Sequence, residues 1–273
     1  MLSGLALFEA LVAAMIRRNR PEEEADTLRL VTSCTDGTRL HAGEIACEIS
    51  GSARALLMIE RTLLNLVGRM SGIATLTARF VDAVRATGSS TRILDTRKTA
   101  PGHRVLEKYA VRCGGGHNHR EGLFDGILIK DNHVAAAGGI AAAVRRALEN
   151  APAGVFVEVE CDNEAQVEEA LAADARAILV DNFEPEQVRA VMKQVAGRAR
   201  VEVSGGITLD TVSRYAAAEP DDISVGSLTH SAGTVDVSME LVGVAGTNPL
   251  ADAASGAAGK SGRSRGRATD SAT

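Results

Sequence analysis

Apolar and polar residues follow two different rhythms along the chain, and each rhythm predicts a different part of the protein. Between Leu30 and Ile49, apolar and polar side chains alternate around DG and AG turn signals, which is typical of antiparallel strands. From Ile59 to about Ala86, apolar residues recur at every third or fourth position and indicate helix. Gly68 and Gly72 lie within this segment, and we expect them to break or bend it. A small β-containing domain with connecting helices is therefore predicted over residues 1–86.

Six short apolar segments follow at regular distances. From the second segment to the sixth, their first residues lie 29, 22, 24 and 22 positions apart, which is the length of one strand followed by one helix. Six such units predict a parallel sheet that is closed or nearly closed into a barrel, with an open, doubly wound sheet as the alternative. The segments are RILDT (92–96), GILIK (126–130), VFVEVE (155–160), AILVD (177–181), VEVSGG (201–206) and ISVGS (223–227).

Composition narrows the class of protein further. The 273 residues include 30 Lys and Arg against 35 Asp and Glu, a net charge of −5 that does not favour a nucleic-acid partner. The chain has no uninterrupted apolar stretch of about 18 residues and no positively charged leader, so we expect no membrane partner and a cytoplasmic location. Its 4 cysteines show no CxxC pairing, and we expect reduced thiols. Residues 246–273 are almost free of large apolar side chains, which predicts a disordered tail after a barrel domain over residues 87–245.

Polar residues stand at the end of each apolar segment. In a barrel of parallel strands the carboxyl ends meet at one face, so these residues are predicted to converge there. The cations among them suit an anionic substrate, the carboxylates suit a metal ion or a developing positive charge, and SGG can present backbone N–H groups to a phosphate. The residues are Asp95, Arg97, Lys98, Lys130, Glu160, Asp181, Ser204, Gly205, Gly206 and Gly226.

The glycine-rich segment RCGGGHNHR (112–120) adds candidates for binding a carboxylate. Arg120 offers a planar, bidentate guanidinium beside the imidazole of His119, and the three glycines would let the loop close over a ligand. His117 and His119 lack a third ligand at zinc-site spacing. The chain has no GxxxxGK[ST], GxGxxG or GxSxG motif, which removes the P-loop, dinucleotide-binding and serine-hydrolase interpretations. The residues alone thus predict a phosphate-binding barrel enzyme with an anionic substrate.

Longer motifs in the same region resemble those of a known family. They are DTRKTAPGHRVLEKYAVRCGGGHNHREGLFDGILIKDNHV (95–134), VEVE (157–160), ILVDN (178–182), VSGGITLDTVSRYA (203–216) and ISVGSLTHS (223–231). Together they resemble the quinolinate phosphoribosyltransferases, also named carboxylating nicotinate-nucleotide pyrophosphorylases. The resemblance extends from about Leu2 to Val244 and implies an α/β protein with an incomplete, atypical βα barrel and a smaller α/β sandwich domain.

The resemblance also implies a reaction and a set of partners. Enzymes of the family join quinolinate to 5-phosphoribosyl 1-diphosphate with Mg²⁺, release diphosphate and CO₂, and form nicotinate mononucleotide for NAD biosynthesis. They form homodimers or higher homo-oligomers in which the small domain of one subunit covers the barrel of the other. By resemblance, Arg61 from the neighbouring subunit would join Arg97, His119 and Arg120 in holding the two carboxylates of quinolinate.

The resemblance assigns roles to the other strand-end residues as well. Lys98 and Lys130 would neutralise the diphosphate and the bound substrate. Glu160 and Asp181 would contact the ribose hydroxyls and the substrate-bound Mg²⁺, and these two residues with Lys130 are expected to be catalytic. The residues expected to cradle the 5′-phosphate are Ser204, Gly205, Gly206 and Gly226.

The chain departs from the family at one end, and three alternative functions stay open. Family members carry several dozen residues before the point that matches MLSGL, so we expect an N-terminally shortened small domain, through a mis-set start, a fragment or a lost segment. A lysine that ends a barrel strand is where class I aldolases hold their Schiff base, which would make Lys130 a nucleophile. A related pyrophosphorylase-like protein associated with molybdenum transport would act on a different base. A non-catalytic subunit would bind phosphate ligands without turnover.

Overall fold

The computed structural model describes residues 1–8, 10, 14 and 28–242. A small antiparallel sheet lies near the start of this part of the chain. Strand β1 (Arg29–Thr32) pairs with β2 (Cys47–Ser50), and Arg29 lies opposite Ser50. A 3₁₀ helix precedes the sheet at Leu5–Leu7. The prediction of antiparallel strands in this region is confirmed.

A 33-residue helix, α1 (Ala53–Arg85), follows the small sheet. The hydroxyl of Ser52 accepts a hydrogen bond from the backbone N–H of Ala55 at 3.3 Å, which caps the first turn. Its buried face changes partner along its length. Residues up to Val67 pack in a small apolar core with the N-terminal segment and β1–β2, whereas residues from Met70 onward pack in the large core of the barrel. The two cores therefore meet within one continuous helix.

The expected break at Gly68 and Gly72 is wrong, because α1 continues through both glycines. A Cβ at Gly68 would lie 2.8 Å from the carbonyl oxygen of Val235, and a Cβ at Gly72 would overlap the carbonyl oxygen of Gly233. The backbone N–H of Val235 donates to the carbonyl of Gly68 at 3.0 Å. The glycines thus allow a later segment to pack directly on the helix, which offsets the roughly 1 kcal/mol that each glycine costs in helix propensity.

The rest of the described chain alternates strands with helices. The strands are β3 (Arg92–Leu94), β4 (Gly126–Ile129), β5 (Phe156–Cys161), β6 (Ala177–Asp181), β7 (Arg200–Ser204) and β8 (Asp222–Ser224). The helices are α2 (Arg104–Cys113), α3 (Asp131–Ala137), α4 (Ile140–Asn150), α5 (Glu164–Ala172), α6 (Pro185–Val195), α7 (Val212–Ala216) and α8 (Ser227–His230).

These six strands form one parallel sheet in the order β3-β8-β7-β6-β5-β4. The order follows the chain from β4 to β8 and then returns to β3, without the mid-sheet reversal of a doubly wound fold. A closed barrel would also pair β3 with β4, and the ladders of the described residues contain no such pair. The structure is therefore an incomplete βα barrel with a smaller domain, as the resemblance implies, and the open-sheet alternative is wrong.

The structure also bears on the predictions made for the tail, the domain boundary, the cysteines and a membrane span. Residues 1–237 form one compact unit, while the predicted tail over residues 246–273 lies outside the described residues. The boundary predicted at residues 86 and 87 stays a prediction. All four cysteines carry free thiols. Of the helices that the structure describes, none is long and apolar enough to cross a membrane.

Candidate active site

The predicted strand-end residues lie at the carboxyl ends of the six parallel strands. Lys130 directly follows β4, Glu160 is the last but one residue of β5, and Asp181 and Ser204 end β6 and β7. Asp181 and Ser204 are paired in the register of these two strands. Arg97, Lys98 and Gly226 follow β3 and β8 by two to four residues. Because all strands run parallel, these side chains surround one edge of the barrel.

Two carboxylates on adjacent strands form the acidic side of this edge. The ammonium of Lys130 forms an ion pair with Glu160, and the carboxylate of Asp181 accepts a hydrogen bond from the side-chain amide of Asn182 at 2.6 Å. Lys130 is also the N-cap residue of α3, which fixes its backbone at the mouth of the barrel. The Lys130 side chain is thus paired with Glu160, and this geometry gives no support to the Schiff-base interpretation.

The glycines that follow β7 and β8 lie where a side chain would be strained or crowded. Gly205 has a φ of 99° and Gly206 a φ of 60°, a region that favours glycine. A Cβ at Gly205 would lie 2.7 Å from the backbone nitrogen of Asn182. A Cβ at Gly226 would lie 3.3 Å from both the Lys98 side chain and the ring of His230. Gly205 therefore packs against Asn182, and Gly226 lies beside Lys98 and His230. His230 is a neighbour that the sequence analysis did not identify.

Two arginines form the basic side of the site. The buried Nε of Arg97 has no hydrogen-bond partner within the described part of the chain. Burial, together with the charge of neighbouring Arg97, lowers the pKa of Arg120. One N–H of Arg120 donates to the carbonyl of Gly126 at 3.1 Å. Two guanidinium groups close enough to repel each other, one with an unused buried donor, are suited to an anion with two carboxylates.

His119 lies on this side too, but both of its ring nitrogens are engaged within the chain. Its Nε2 lies 2.9 Å from a carboxylate oxygen of Glu158 and 3.3 Å from one of Glu202, and its Nδ1 accepts the backbone N–H of Arg120 at 2.7 Å. Both glutamates are buried. In this arrangement the ring of His119 holds the backbone of Arg120 through a hydrogen bond. The expected direct contact of His119 with quinolinate stays a prediction.

His119, Glu158 and Glu202 form a buried cluster in which the groups perturb one another. Burial alone would lower the pKa of His119, but its hydrogen bonds with the two glutamates raise it to about 10. Burial and the charge of Glu202 raise the pKa of Glu158, while the hydrogen bond from His119 opposes that shift. The three groups are also near enough together to hold a metal ion. Glu158 and Glu202 were missed, although strand alternation places them on the same faces as Glu160 and Ser204.

A second buried network lies under the same loops. Asp95 follows β3 and is completely buried, where its carboxylate accepts hydrogen bonds from Lys108, from the amide of Asn118 and from the backbone N–H of His119. Burial raises the pKa of Asp95, while the Lys108 ammonium opposes that shift. Asp95 therefore belongs beneath the site, and the expectation that it faces the open edge with the other strand-end residues is wrong.

Arg61 is a predicted quinolinate-binding residue that none of the contacts described above joins to the strand ends. It lies on the exposed side of α1, and among the residues that the structure describes its guanidinium has no ion-pair partner. Leu57, one helical turn earlier, is 57% exposed. Arg61 and Leu57 therefore lie one helical turn apart on the exposed face of α1.

Comparison with known proteins decides the family. A model of the quinolinate phosphoribosyl transferase C-terminal domain matches residues 73–240, and a model of the N-terminal domain matches residues 1–71. The chain belongs to the quinolinate phosphoribosyl transferase family. The resemblance seen in the sequence is thereby confirmed, and the two models divide the chain within α1, near the place where the two cores meet.

Relatives and solved structures agree with this assignment. The chain is 49% identical over 207 residues to the probable carboxylating nicotinate-nucleotide pyrophosphorylase of Bacillus subtilis, covering 76% of this chain and 71% of the relative. It is 46% identical over 219 residues to the enzyme of that name from Mycobacterium leprae, covering 79% and 76%. Among solved structures, NadC from Streptococcus pyogenes has a TM-score of 0.78 at 41% identity, covering 86% of this chain and 79% of that one. The nicotinate-nucleotide pyrophosphorylase from Francisella tularensis has a TM-score of 0.79 at 36% identity, covering 86% and 80%.

Proposed function

We propose that this family member is a phosphoribosyltransferase of de novo NAD biosynthesis. It converts quinolinate and 5-phosphoribosyl 1-diphosphate into nicotinate mononucleotide, CO₂ and diphosphate. The observation that carries the proposal is the pair of neighbouring guanidinium groups, Arg97 and Arg120, at the same end of the barrel as the carboxylates of Glu160 and Asp181. A substrate with two carboxylates and a sugar that develops positive charge needs both signs of charge at one site.

Quinolinate binding is assigned to the basic side. The free buried Nε of Arg97 provides a donor for one carboxylate, and the guanidinium of Arg120 provides a planar fork for the other. Lys98 borders the glycine segment at Gly226, where the phosphate and diphosphate groups are expected. Ser204, Gly205 and Gly206 complete that cradle with a hydroxyl and bare backbone N–H groups.

The acidic side stabilises the sugar as diphosphate leaves. Positive charge develops on the ribosyl carbon in that step, and the carboxylates of Glu160 and Asp181 are the negative groups available at the strand ends. Lys130 stays paired with Glu160, which keeps this carboxylate oriented toward the mouth of the barrel. Attack by the ring nitrogen of quinolinate then forms the bond between nitrogen and the ribosyl carbon.

Decarboxylation follows from the charge that this bond creates. The ribosylated ring nitrogen is positive, so it can accept the electron pair that stays on the neighbouring carbon when CO₂ leaves, and a proton then takes the vacated position. Ribosylation therefore precedes loss of CO₂, and the substrate itself supplies the electron sink.

The proposal includes Mg²⁺. Glu160 and Asp181 present carboxylate oxygens from adjacent strands, and hard oxygen ligands are those that Mg²⁺ prefers, so these residues fit the ion. When bound, Mg²⁺ neutralises the negative charge of the departing diphosphate. Treatment with EDTA is expected to abolish turnover, and added Mg²⁺ is expected to restore it.

The decisive assay measures quinolinate-dependent release of both CO₂ and diphosphate. Arg97→Ala and Glu160→Ala are expected to lower kcat/KM by at least about a hundredfold, because each removes charge that the transition state requires. Arg189→Ala, an exposed arginine of α6, is the matched control and should leave the rate unchanged. Phosphate binding without turnover in the unaltered protein would instead support a non-catalytic subunit, and borohydride trapping at Lys130 would support the aldolase alternative.

We also propose a cytoplasmic homodimer in which Arg61 acts in the site of the partner. The exposed position of Arg61 beside exposed Leu57 supports this arrangement. Inactive Arg61→Ala and inactive Glu160→Ala chains, unfolded and refolded together, should recover about a quarter of the unaltered activity, because half of the dimers are mixed and each has one intact site. No recovery on mixing, with both chains dimeric, would place Arg61 outside the partner's site.

A further inference from the structure

Arg97 and Arg120 belong to two segments that flank the open edges of the sheet. Arg97 lies in the loop between β3 and α2, and Arg120 lies in the segment that leads into β4. The sheet is open between β3 and β4. The backbone N–H of Asp95 donates to the carbonyl of His117 at 3.1 Å. Asp95 precedes Arg97 in the sequence, and His117 precedes Arg120. The Asp95 carboxylate also accepts the backbone N–H of His119 at 3.0 Å, so the two segments are joined just before the arginines. A further contact joins them beside the arginines themselves.

Arg104, in the first turn of α2, makes that contact. Its Nε donates to the hydroxyl of Thr99 at 3.1 Å, and a second nitrogen lies 3.4 Å from the carbonyl oxygen of Arg97. Its remaining nitrogen donates to the carbonyl of Glu121 at 3.1 Å. One planar guanidinium thus contacts the backbone of Arg97 and the backbone of Glu121, which is the residue next to Arg120.

Both ends of this bridge are anchored. On one side, the hydroxyl of Thr229 donates to the carbonyl of Lys98 at 2.7 Å, and the buried carboxylate of Glu107 accepts the backbone N–H of Ala100 at 3.1 Å. On the other side, the carboxylate of Asp125 accepts the backbone N–H groups of Glu121 and Gly122 at 2.7 and 2.9 Å. A change at Arg104 would therefore shift two firm segments relative to each other, with each segment keeping its own shape.

We propose that Arg104 is a positioning residue that sets the separation of Arg97 and Arg120 and so selects a dicarboxylate over a monocarboxylate. The inference rests on the proposed function, which assigns one carboxylate to each of these two arginines. Arg104 acts through them, since each of its three guanidinium nitrogens contacts an acceptor within the chain. A lysine has a single ammonium on a flexible stem and cannot span the three acceptors as a planar fork does.

The test compares two ligands that differ by one carboxylate. Phthalate has the two adjacent carboxylates of quinolinate without the ring nitrogen, and benzoate has one. In Arg104→Lys and Arg104→Met, calorimetry is expected to show phthalate affinity reduced at least about tenfold and benzoate affinity changed less than twofold. The KM for quinolinate should rise in parallel, while the KM for 5-phosphoribosyl 1-diphosphate stays within twofold. Arg189→Met is the matched control and should change neither affinity.

A double-mutant cycle separates positioning from general support of the fold. In an Arg97→Met background the second arginine has no partner to be positioned against, so Arg104→Met should then change phthalate affinity less than twofold. Equal losses for phthalate and benzoate, an unchanged phthalate affinity, or full additivity with Arg97→Met would each overturn the inference. Absence of turnover in the unaltered protein would instead overturn the proposed function, and if Arg104→Met fails to fold, Arg104→Lys carries the comparison.

Discussion

Replacing Lys108 with methionine tests whether the buried network beneath the site is held by charge. The side chains of Lys108 and Asp95 are 1% and 0% exposed, and they form an ion pair. Methionine keeps most of the apolar stem but removes the ammonium, which leaves a carboxylate buried with only the amide of Asn118 and the backbone N–H of His119 as donors. Removing one partner of a buried ion pair lowers the free energy of unfolding by about 3–5 kcal/mol. Because two donors still contact the carboxylate, we expect a loss of about 3 kcal/mol, at the lower end of this range.

The loss should depend on pH in a defined direction. Burial raises the pKa of Asp95 above that of an unfolded aspartate, so its contribution to stability is largest below about pH 4 and is lost as the pH rises through the folded-state value. Without Lys108 the pKa of Asp95 rises further, so the contribution of Asp95 to stability is lost over a range that extends to higher pH. The difference between Lys108→Met and the unaltered chain is therefore expected to be largest near pH 8 and to shrink toward pH 5.

Urea unfolding followed by circular dichroism at the two pH values measures this difference. Lys193→Met makes the same substitution at an exposed position of α6 and should change the free energy of unfolding by less than about 0.5 kcal/mol. The double variant Asp95→Asn/Lys108→Met removes the unpaired charge and should recover part of the loss. A double variant as unstable as Lys108→Met, or a loss below about 1 kcal/mol at pH 8, would refute the reasoning.

Three further predictions follow from local packing and burial. Gly72→Ala should lower the free energy of unfolding by about 1–3 kcal/mol, because its Cβ overlaps the carbonyl of Gly233, whereas Gly233→Ala has open space and should be nearly neutral in the same urea assay. Burial raises the pKa of the Cys161 thiol to about 12, so iodoacetamide at pH 8 should leave this cysteine unmodified in the folded protein and alkylate it in urea, as peptide mass spectrometry would show. Ser52→Ala removes the N-cap of α1 and should cost about 1 kcal/mol, while Ser52→Asp should retain most of the stability in thermal unfolding.

Local pattern was sufficient to predict the barrel. The segment predicted at 177–181 is strand β6 with the same bounds, and the other five strands begin within one residue of the predicted segments. Short apolar segments at a regular spacing are local information, and parallel strands of one sheet must end at one edge. For this reason the sequence alone places the candidate residues at those ends together, including Lys130, Glu160 and Asp181.

The residues that support the site were missed for a different reason. The sequence analysis singled out neither Lys108 nor Glu107. Charged side chains are rarely buried, yet both lie inside the protein with partners from other segments. The continuity of α1 was missed as well. Whether Gly72 bends a helix depends on what packs against it, and here the partner, Gly233, lies far away in the sequence.

The sequence by itself determined the strands, the edge at which their polar ends meet and the family motifs, because these depend on periodicity and on short contiguous segments. The tertiary structure decided which charges are buried in pairs, how His119 is held between Glu158 and Glu202, and how Arg104 joins the segments of Arg97 and Arg120. Such contacts join residues from separate elements. Their energies come from desolvation and hydrogen-bond geometry, which exist only once the elements have packed.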